Sequence, residues 1–342
     1  MDFRKAIQFV LGLAITVLAL IFFLKNMEWQ QVLPILRGVS PNMLILAGGL
    51  TILSLYLRGL RWHFLLPKTK GASSQGLFGL CSIGFMVNNL LPARLGEAAR
   101  IFLLYKRNHY SVHASIGSVL LERGVDSVVY VFFILIPYWS AYSLLSDKML
   151  FTSFPLAHLV QLTLVIGIGL IAVGLAIYFS YARLDRIEGF LQRKASFLRG
   201  PLGHLVQLVR ESGQWLVMGK QLAAVSVLTL LCVGCYPLIL LLLARGVGVH
   251  LSLNQALLVA GFLALGAAIP SSPGYVGTLH VACMEALNLF DVERTHAAAI
   301  AIIYHLVTWA VTVATGLFFL FKMDLKLSEI RTMEKVRMDD NG

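Results

Sequence analysis

The chain has 342 residues, of which 58% are hydrophobic and only 13% are charged, and its mean hydropathy is +0.79. Apolar runs of 18 residues or more predict a polytopic, all-α membrane protein, and no stretch is polar enough to predict a soluble domain. The formal net charge of +11 does not indicate nucleic-acid binding, because the basic residues cluster in the loops between the apolar runs.

Six apolar runs are predicted to be full membrane spans. The first follows Arg4 and Lys5 and has no signal-peptide-like cleavage site, so we expect it to be retained as a helix. The stretch 25–41 is predicted to be a short loop, and 181–220 a basic cytoplasmic loop. The six predicted spans are 7–24, 42–66, 114–137, 156–179, 221–244 and 295–321.

A seventh apolar stretch, 84–105, is interrupted by polar residues and a proline. It meets Asn88 and Asn89 and then breaks at Pro92. Each arm has about 11 to 15 residues, or roughly 16 to 22 Å as helix, which is shorter than a hydrocarbon core of about 30 Å. This pattern predicts a re-entrant helical hairpin. The alternative is a single proline-kinked span whose second half lies at the interface.

A second interrupted stretch, 254–290, has a tip of sequence PSSPGYVG. Ser272 is a good N-cap, and Pro273 suits the first helical position, so a helix is predicted to start there. The free N–H groups of a helix N-terminus favour a phosphate or a carboxylate, whereas the alternative is a capped turn without a ligand. The residues predicted to form a gate at this tip are Ser271, Ser272, Gly274 and Gly277.

The predicted span 114–137 carries three charged residues, Glu122, Arg123 and Asp126. Glu122 and Asp126 share a helical face, and Arg123 can reach Asp126 at i+3. Each such charge costs at least about 2.5–3.5 kcal/mol in a membrane, so we expect all three to face the bundle interior and to be paired. Two functions remain open for them, a structural clamp on helix register or a place in a transport pathway.

Other polar residues of the predicted spans each allow two interpretations. Arg58 and Arg61 share one helical face near an interface, where they either snorkel or contact a headgroup. His305 is either a packing residue or a ligand, and His280 with Cys283 offers too few ligands for a metal site. No cofactor, metal or nucleotide-binding motif is predicted, so the chain is not expected to drive transport by hydrolysing ATP.

The loop charges predict an inverted repeat. The whole chain, 1–342, is interpreted as one integral membrane domain with repeat halves at 42–137 and 221–321 and a basic C-terminal tail at 322–342. If both termini and the basic loops are cytoplasmic, the two hairpins enter the membrane from opposite faces. In transporters, such a repeat places the substrate site near the midplane, where the broken helices meet.

Four motifs in combination resemble the lysylphosphatidylglycerol synthase transmembrane-region family, whose members are also called flippase-like domain proteins. The resemblance implies a multi-pass protein of the bacterial-type inner (cytoplasmic) cell membrane, linked to the movement of anionic or lipid-linked headgroups. The aminoacyl-transferase domain of the full synthases is not found in this sequence, and many members carry Glu where this chain has His280. The motifs are Arg58-x-x-Arg61-Trp62, Leu91-Pro92-x-x-x-Gly96-Glu97-x-x-Arg100, Glu122-Arg123-x-x-Asp126 and Pro270-x-x-Pro273-Gly274-x-x-Gly277.

These observations predict a non-enzymatic translocator of a phospholipid or of a polyprenyl-phosphate-linked lipid. Arg94 and Arg100 are predicted to contact the phosphate, with Glu97 orienting them. The alternative is an accessory subunit that holds a lipid for a separate glycosyl- or aminoacyl-transferase. The predicted substrate-binding residues are Arg58, Arg61, Arg94, Glu97, Arg100, Glu122, Arg123, Asp126, Ser271, Ser272, Gly274, Gly277, His280 and His305.

Overall fold

The computed structural model describes residues 3–24, 28–67, 73–91, 95–151, 153–181, 183, 199–212, 218–269 and 273–325. These ranges are almost entirely helical, and they contain one antiparallel pair of two-residue strands. The elements in chain order are α1 (Phe3–Leu24), α2 (Trp29–Arg37), α3 (Pro41–Leu65), α4 (Ser74–Leu90), α5 (Leu95–Asn108), α6 (Val112–Ser140), α7 (Tyr142–Leu145), β1 (Met149–Leu150), β2 (Phe154–Pro155), α8 (Leu156–Tyr181), α9 (Arg199–Ser212), α10 (Gly219–Gly246), α11 (Leu253–Ala268), a 3-10 turn (Pro273–Tyr275), α12 (Thr278–Asn288) and α13 (Arg294–Lys322).

Four of the described helices are long and apolar enough to cross a membrane, namely α3, α8, α10 and α13. Helix α6 has 29 residues, and the charged residues in its middle set it apart from those four. The class predicted from composition, an all-α membrane protein, is therefore confirmed. The count of six full spans and the inverted repeat stay predictions.

The first interrupted stretch folds as two helices, α4 and α5, that pack against each other. Their backbones approach so closely that a Cβ atom on Gly96 would lie 2.0 Å from the carbonyl oxygen of Gly84. The side chain of Asn88 accepts a hydrogen bond from the Gly96 backbone N–H, with an N–O distance of 2.7 Å. Pro92 lies outside the described residues, but α4 ends before it and α5 begins after it. The stretch is a helical hairpin.

The second interrupted stretch also forms a pair of packed helices, α11 and α12, but its tip differs from the prediction. Helix α12 begins at Thr278 and not at Pro273. The reason is the backbone between them, where Gly274, Tyr275 and Gly277 have φ angles of 71°, 59° and 89°. A right-handed helix cannot run through residues in the left-handed region, so only a single 3-10 turn precedes α12.

Two stretches predicted to be loops contain helices. Helix α2 lies within 25–41 and packs against α13, with Val32 fully buried. Helix α9 lies within 181–220 and packs against α6, where Ser111 and Glu211 are hydrogen-bonded to each other. Both helices are short, and their polar residues outweigh the apolar positions they bury, so their composition suggested loops.

The tips of the two hairpins meet, and α13 lies beside both of them. Helix α4 contacts the 3-10 turn, and α13 packs against α4 and α12. The indole Nε1 of Trp309 on α13 donates a hydrogen bond of 3.4 Å to the carbonyl oxygen of Asn89, the second-last residue of α4. A Cβ atom on Gly274 would lie 3.2 Å from that same oxygen. Two stretches far apart in sequence therefore share one junction.

Candidate functional site

Beside the first hairpin, three helices bring seven charged side chains together, and we call this group the charged cluster. The two residues on α3 and the two on α5 lie three positions apart, and two of the three on α6 lie four apart, so each of these pairs shares one helical face. Five of the seven are almost completely buried. The members are Arg58 and Arg61 on α3, Glu97 and Arg100 on α5, and Glu122, Arg123 and Asp126 on α6.

Asp126 binds both arginines of α3. Its Oδ2 accepts a hydrogen bond of 2.7 Å from Arg58, and its Oδ1 accepts one of 2.5 Å from Arg61. Arg61 also donates to the hydroxyl oxygen of Thr229 on α10, at 3.0 Å. Charge-assisted hydrogen bonds of this length are the strong ones in proteins, so Asp126 ties α3 firmly to α6.

Glu122 is the centre of the charged cluster and is fully buried. Arg100 binds it with two parallel hydrogen bonds of 3.0 and 2.6 Å. Arg123 donates to it at 3.1 Å, and Arg61 approaches it to 3.4 Å. One carboxylate thus contacts arginines from three helices. Glu122 and Asp126 are buried and paired as predicted, whereas Arg123 is paired but 37% exposed.

Two predicted pairings within the charged cluster differ in the structure. Arg100 donates two hydrogen bonds to Glu122 of α6, so Glu97 is not its principal partner. Glu97 instead lies 4.0 Å from Nε of Arg123, and Arg123 does not bond to Asp126 because that carboxylate is occupied by α3. Glu97 and Arg123 form the accessible rim of the charged cluster, since their side chains are 24% and 37% exposed.

The charged cluster carries more positive than negative charge. Four guanidinium groups face three carboxylates, so these seven residues keep one net positive charge. Among the described residues, the Nε atoms of all four arginines are buried and have no hydrogen-bond partner. Buried N–H groups of a cation are costly when they are unpaired. An anion would supply both the missing charge and the missing acceptors.

Two neighbouring residues that were not among the predicted substrate-binding residues orient Arg100. The indole ring of Trp62 lies 4.2 Å from the guanidinium carbon of Arg100, at the distance of a cation–π contact. Ser118 of α6 accepts a hydrogen bond of 2.9 Å from Trp62 Nε1, which fixes the ring. The signal for Trp62 was present in the sequence, because it directly follows Arg61 in the first of the four motifs.

The two histidines lie together in the second hairpin region, and both are buried. His280 Nδ1 accepts a hydrogen bond of 3.2 Å from the Gly277 backbone N–H, so its Nε2 carries a proton in the neutral ring. That Nε2 lies 3.2 Å from His305 Nδ1 and donates to it. His305 also hydrogen-bonds to the backbone of Gly274. A series of hydrogen bonds therefore runs from Gly277 through His280 and His305 to Gly274, and both imidazole rings are neutral in this arrangement.

Five of the predicted site residues belong to neither the charged cluster nor the histidine pair. Arg94, Ser271 and Ser272 fall outside the described residues, so their roles stay predictions. Gly274 is buried at the junction of the tips, whereas Gly277 is buried against α1. Within the described part of the chain, no group of three or more His, Cys, Asp or Glu residues is placed to hold a metal ion.

A bundle of membrane-crossing helices with two internal hairpins and a buried, net-positive group of charges belongs to the class of polytopic helical membrane proteins. The sequence model described as "Lysylphosphatidylglycerol synthase TM region" matches residues 9–316. The chain belongs to this family, and the resemblance seen in its motifs is confirmed. It is also similar to UPF0104 membrane protein MJ1078 of Methanocaldococcus jannaschii, with 24% identity over 254 residues, which are 73% of this chain and 99% of that protein.

Proposed function

We propose that this protein is a flippase-like translocator of a phosphate-bearing lipid headgroup. The observation that carries the proposal is the charged cluster, with its excess positive charge and its unpaired guanidinium N–H groups. A phosphate monoester or diester offers the oxygens that these groups lack, and arginine is well matched to phosphate geometry. The family to which the chain belongs is named for an enzyme that makes an anionic-lipid derivative, which is consistent with a lipid substrate.

In this proposal the junction of the hairpin tips separates the two sides of the pathway. Arg100 and Arg123, with Arg94 at the tip, receive the phosphate on the side of the first hairpin. Gly274, Gly277 and the neighbouring serines form the gate on the other side. An outward-moving anionic headgroup gains about 2.3 kcal/mol per negative charge for each 100 mV of inside-negative potential, so this movement needs no ATP.

The proposal includes a topology in the inner (cytoplasmic) membrane with both termini in the cytoplasm. The six spans are α1, α3, α6, α8, α10 and α13, and the two hairpins enter from opposite faces. Labelling of single cysteines in intact cells tests this arrangement. Positions in 106–110 and 183–199 are expected to label from the cytoplasm, and positions in 141–148 and 291–295 from outside. Opposite accessibility of 68–70 and 106–107 would contradict the re-entrant first hairpin.

Transport itself is tested by leaflet exchange of a labelled anionic lipid in proteoliposomes, with a zwitterionic lipid as the control substrate. Arg100→Lys retains the charge beside Glu122 but cannot form the two parallel hydrogen bonds, and Arg123→Gln removes the rim cation. Each is expected to slow exchange of the anionic lipid about tenfold, the size of one lost charged hydrogen bond. Arg245→Gln serves as the matched control, because Arg245 is exposed at the end of α10.

The outcomes of this assay separate the candidate functions. Slower exchange of the anionic lipid alone, with Arg245→Gln unchanged, supports the proposal. Binding of the lipid without any exchange by the wild-type protein contradicts transport and favours an accessory subunit for a transferase. Equal exchange of both lipids, insensitive to Arg100 and Arg123, would show a nonspecific disturbance of the bilayer and contradict the phosphate site.

A further inference from the structure

One aromatic ring faces three of the four arginines of the charged cluster. Phe85 is a partly buried residue of α4. The centroid of its ring lies 5.1 Å from the guanidinium carbon of Arg58, 5.5 Å from that of Arg123 and 6.0 Å from that of Arg100. All three distances are within the range of a cation–π contact. The ring therefore lies where the positive charges of three helices converge.

A phenyl ring is a poor partner for three cations. Its quadrupole attracts a cation over the face, but each such contact is weak beside a charge-assisted hydrogen bond. It also carries no net charge, so it leaves the excess positive charge of the cluster in place, and it offers no lone pairs to the unpaired Nε atoms of Arg58 and Arg100. The ring thus occupies a position that an anion would fill with a stronger interaction.

Phe85 also lies between the accessible and the inaccessible parts of the charged cluster. Arg123, on the rim, is 37% exposed, whereas Arg58 and Arg100 have side chains that are 3% and 2% exposed. The ring contacts both the rim cation and the two buried ones. Its position therefore adjoins all three cations that an anion moving from Arg123 to Arg58 and Arg100 would contact.

The helix that carries Phe85 has little freedom to move in order to admit an anion. A Cβ atom on the preceding residue, Gly84, would lie 2.4 Å from Cγ of Arg100 and 3.0 Å from the carbonyl oxygen of Gly96. The backbone of α4 is therefore pressed against both α5 and the stem of Arg100. Rotation of the Phe85 side chain is a smaller change than displacement of this helix, since rotamer changes need no repacking of the hairpin.

We propose that Phe85 is the gate of the charged cluster and that the phosphate group of the substrate replaces its ring among Arg58, Arg100 and Arg123. This inference rests on the proposed function, because it names the residue that controls entry to the same site. The ring preserves the arrangement of the arginines while the site is empty, and it swings away when a phosphate arrives. Phe85 is a positioning and selectivity residue that does not itself bind the phosphate.

The test measures binding of radiolabelled inorganic phosphate to the purified full-length protein in detergent, with short-chain phosphatidic acid as the lipid competitor. Phe85→Ala removes the competing ring, so its affinity for inorganic phosphate is expected to be about tenfold higher than that of the wild type, the size of one or two lost cation–π contacts. Phe85→Leu keeps an apolar side chain without a quadrupole, and its affinity is expected to lie between the two.

Phe78→Ala is the matched control, because Phe78 is on the same helix and contacts Phe319 and Tyr56. It is expected to bind phosphate as the wild type does. If Phe85→Ala does not fold, the comparison of Phe85→Leu with the wild type decides the question. The two probes separate the sources of the phosphate: a lipid site is expected to prefer short-chain phosphatidic acid in the wild type, and this preference is expected to shrink in Phe85→Ala.

Failure of the gate and failure of the proposed function give different results. Equal or weaker phosphate affinity in Phe85→Ala and Phe85→Leu, with binding that Arg100→Lys reduces, would overturn the gate and leave the site intact. If neither the wild type nor the Phe85 variants bind phosphate in a way that depends on Arg100, the charged cluster is not an anion site and the proposed function fails with it. Tighter binding in both Phe85 variants supports both.

Discussion

The two hairpins of this protein bury polar groups of opposite kinds. The first hairpin, α4 and α5, lies against a group of charged side chains that are linked by short, charge-assisted hydrogen bonds. The second, α11 and α12, contains a pair of neutral histidines and a tip made from left-handed backbone. Both hairpins are helical, and their tips contact each other. Each hairpin has a glycine where its own two helices come closest.

This difference shows two ways to keep an irregular segment ordered inside a helical bundle. In the first hairpin the order depends on partners from other helices, because Arg100 of α5 is held by Glu122 of α6. In the second it depends on local backbone geometry, because Gly274 and Gly277 have positive φ angles and His280 accepts from Gly277 within the same tip. Under the proposed function, the first hairpin holds the phosphate, and we propose that the second hairpin is the one that moves during transport.

The largest effect is expected from Glu122→Ala. This change leaves Arg61 and Arg100 buried without their shared carboxylate, and breaking such a buried pair costs about 3–5 kcal/mol. The melting temperature of the purified protein in detergent is expected to fall sharply, and expression to fall with it. Thermal unfolding is measured as the loss of monodisperse protein with rising temperature.

Glu285→Ala provides the matched control in the second hairpin. Glu285 is also nearly buried, at 9% exposure, but it accepts one hydrogen bond of 2.9 Å from the backbone N–H of Phe151. Its loss is expected to cost about 1.5–3 kcal/mol, the usual net value of a hydrogen bond to a charged group, and therefore less than the loss of Glu122. If both variants lost equal stability, the contrast between a charged and a neutral hairpin would be wrong.

The sequence predicted much of this contrast. The prolines and the length of the arms indicated both interrupted segments, and the cost of charge in a membrane indicated that Glu122 and Asp126 are buried and paired. The partners could not be predicted, because spacing along one helix identifies only neighbours on that helix. The arginines that bind Asp126 come from α3, at a distance in sequence that no local pattern covers.

The start of α12 shows a second limit of sequence reasoning. Ser272 and Pro273 form a good helix start, and both residues obey the local rules. Tyr275 nevertheless has a φ of 59°, a conformation that is uncommon for a bulky residue and that no composition rule would assign to it. The neighbouring Gly274 packs against Asn89 and Trp309, and such tertiary contacts are not visible in a single sequence.

A second test compares the closest approaches within the two hairpins. In Gly96→Ala, the new Cβ would lie 2.0 Å from the Gly84 oxygen and 2.5 Å from Oδ1 of Asn88, so α4 and α5 have to separate. We expect a loss of about 1–3 kcal/mol, as for other overpacked sites. In Gly266→Ala the shortest contact is 2.7 Å, to Cβ of Ala282, and the loss is expected to be smaller.

Gly124→Ala is the control for this pair, because a Cβ at Gly124 of α6 meets nothing within 4 Å. Replacing a helical glycine there is expected to be neutral or to stabilise by up to about 1 kcal/mol. The melting temperatures of the three variants are measured under the same conditions. A loss at Gly266 that exceeded the loss at Gly96 would show that the second hairpin is the more tightly packed one.

A third test asks whether the two histidines interact directly. His305→Leu leaves the Nε2–H of His280 buried without an acceptor, at a cost of about 1–3 kcal/mol. The double variant His280→Leu, His305→Leu removes both partners, so its loss is expected to be smaller than the sum of the single losses by about 1 kcal/mol. Additive losses in thermal unfolding would contradict a direct interaction between the two rings.

The smallest effect on stability is expected where the hairpins meet. Trp309→Phe keeps the aromatic ring of α13 but removes the Nε1–H that bonds to the Asn89 oxygen, and at 3.4 Å this hydrogen bond is long. Its loss is expected to cost only about 0.5 kcal/mol of stability.

The same contact between Trp309 and Asn89 joins the charged hairpin to the junction with the second hairpin. If the tips separate during each transport step, the barrier falls by a similar amount and lipid exchange becomes about twofold faster. Trp139→Phe is the control, because Trp139 is 60% exposed and stacks on Tyr142. A wild-type exchange rate in Trp309→Phe would show that the tips stay joined throughout transport, and the division between a binding hairpin and a moving hairpin would then have to be given up.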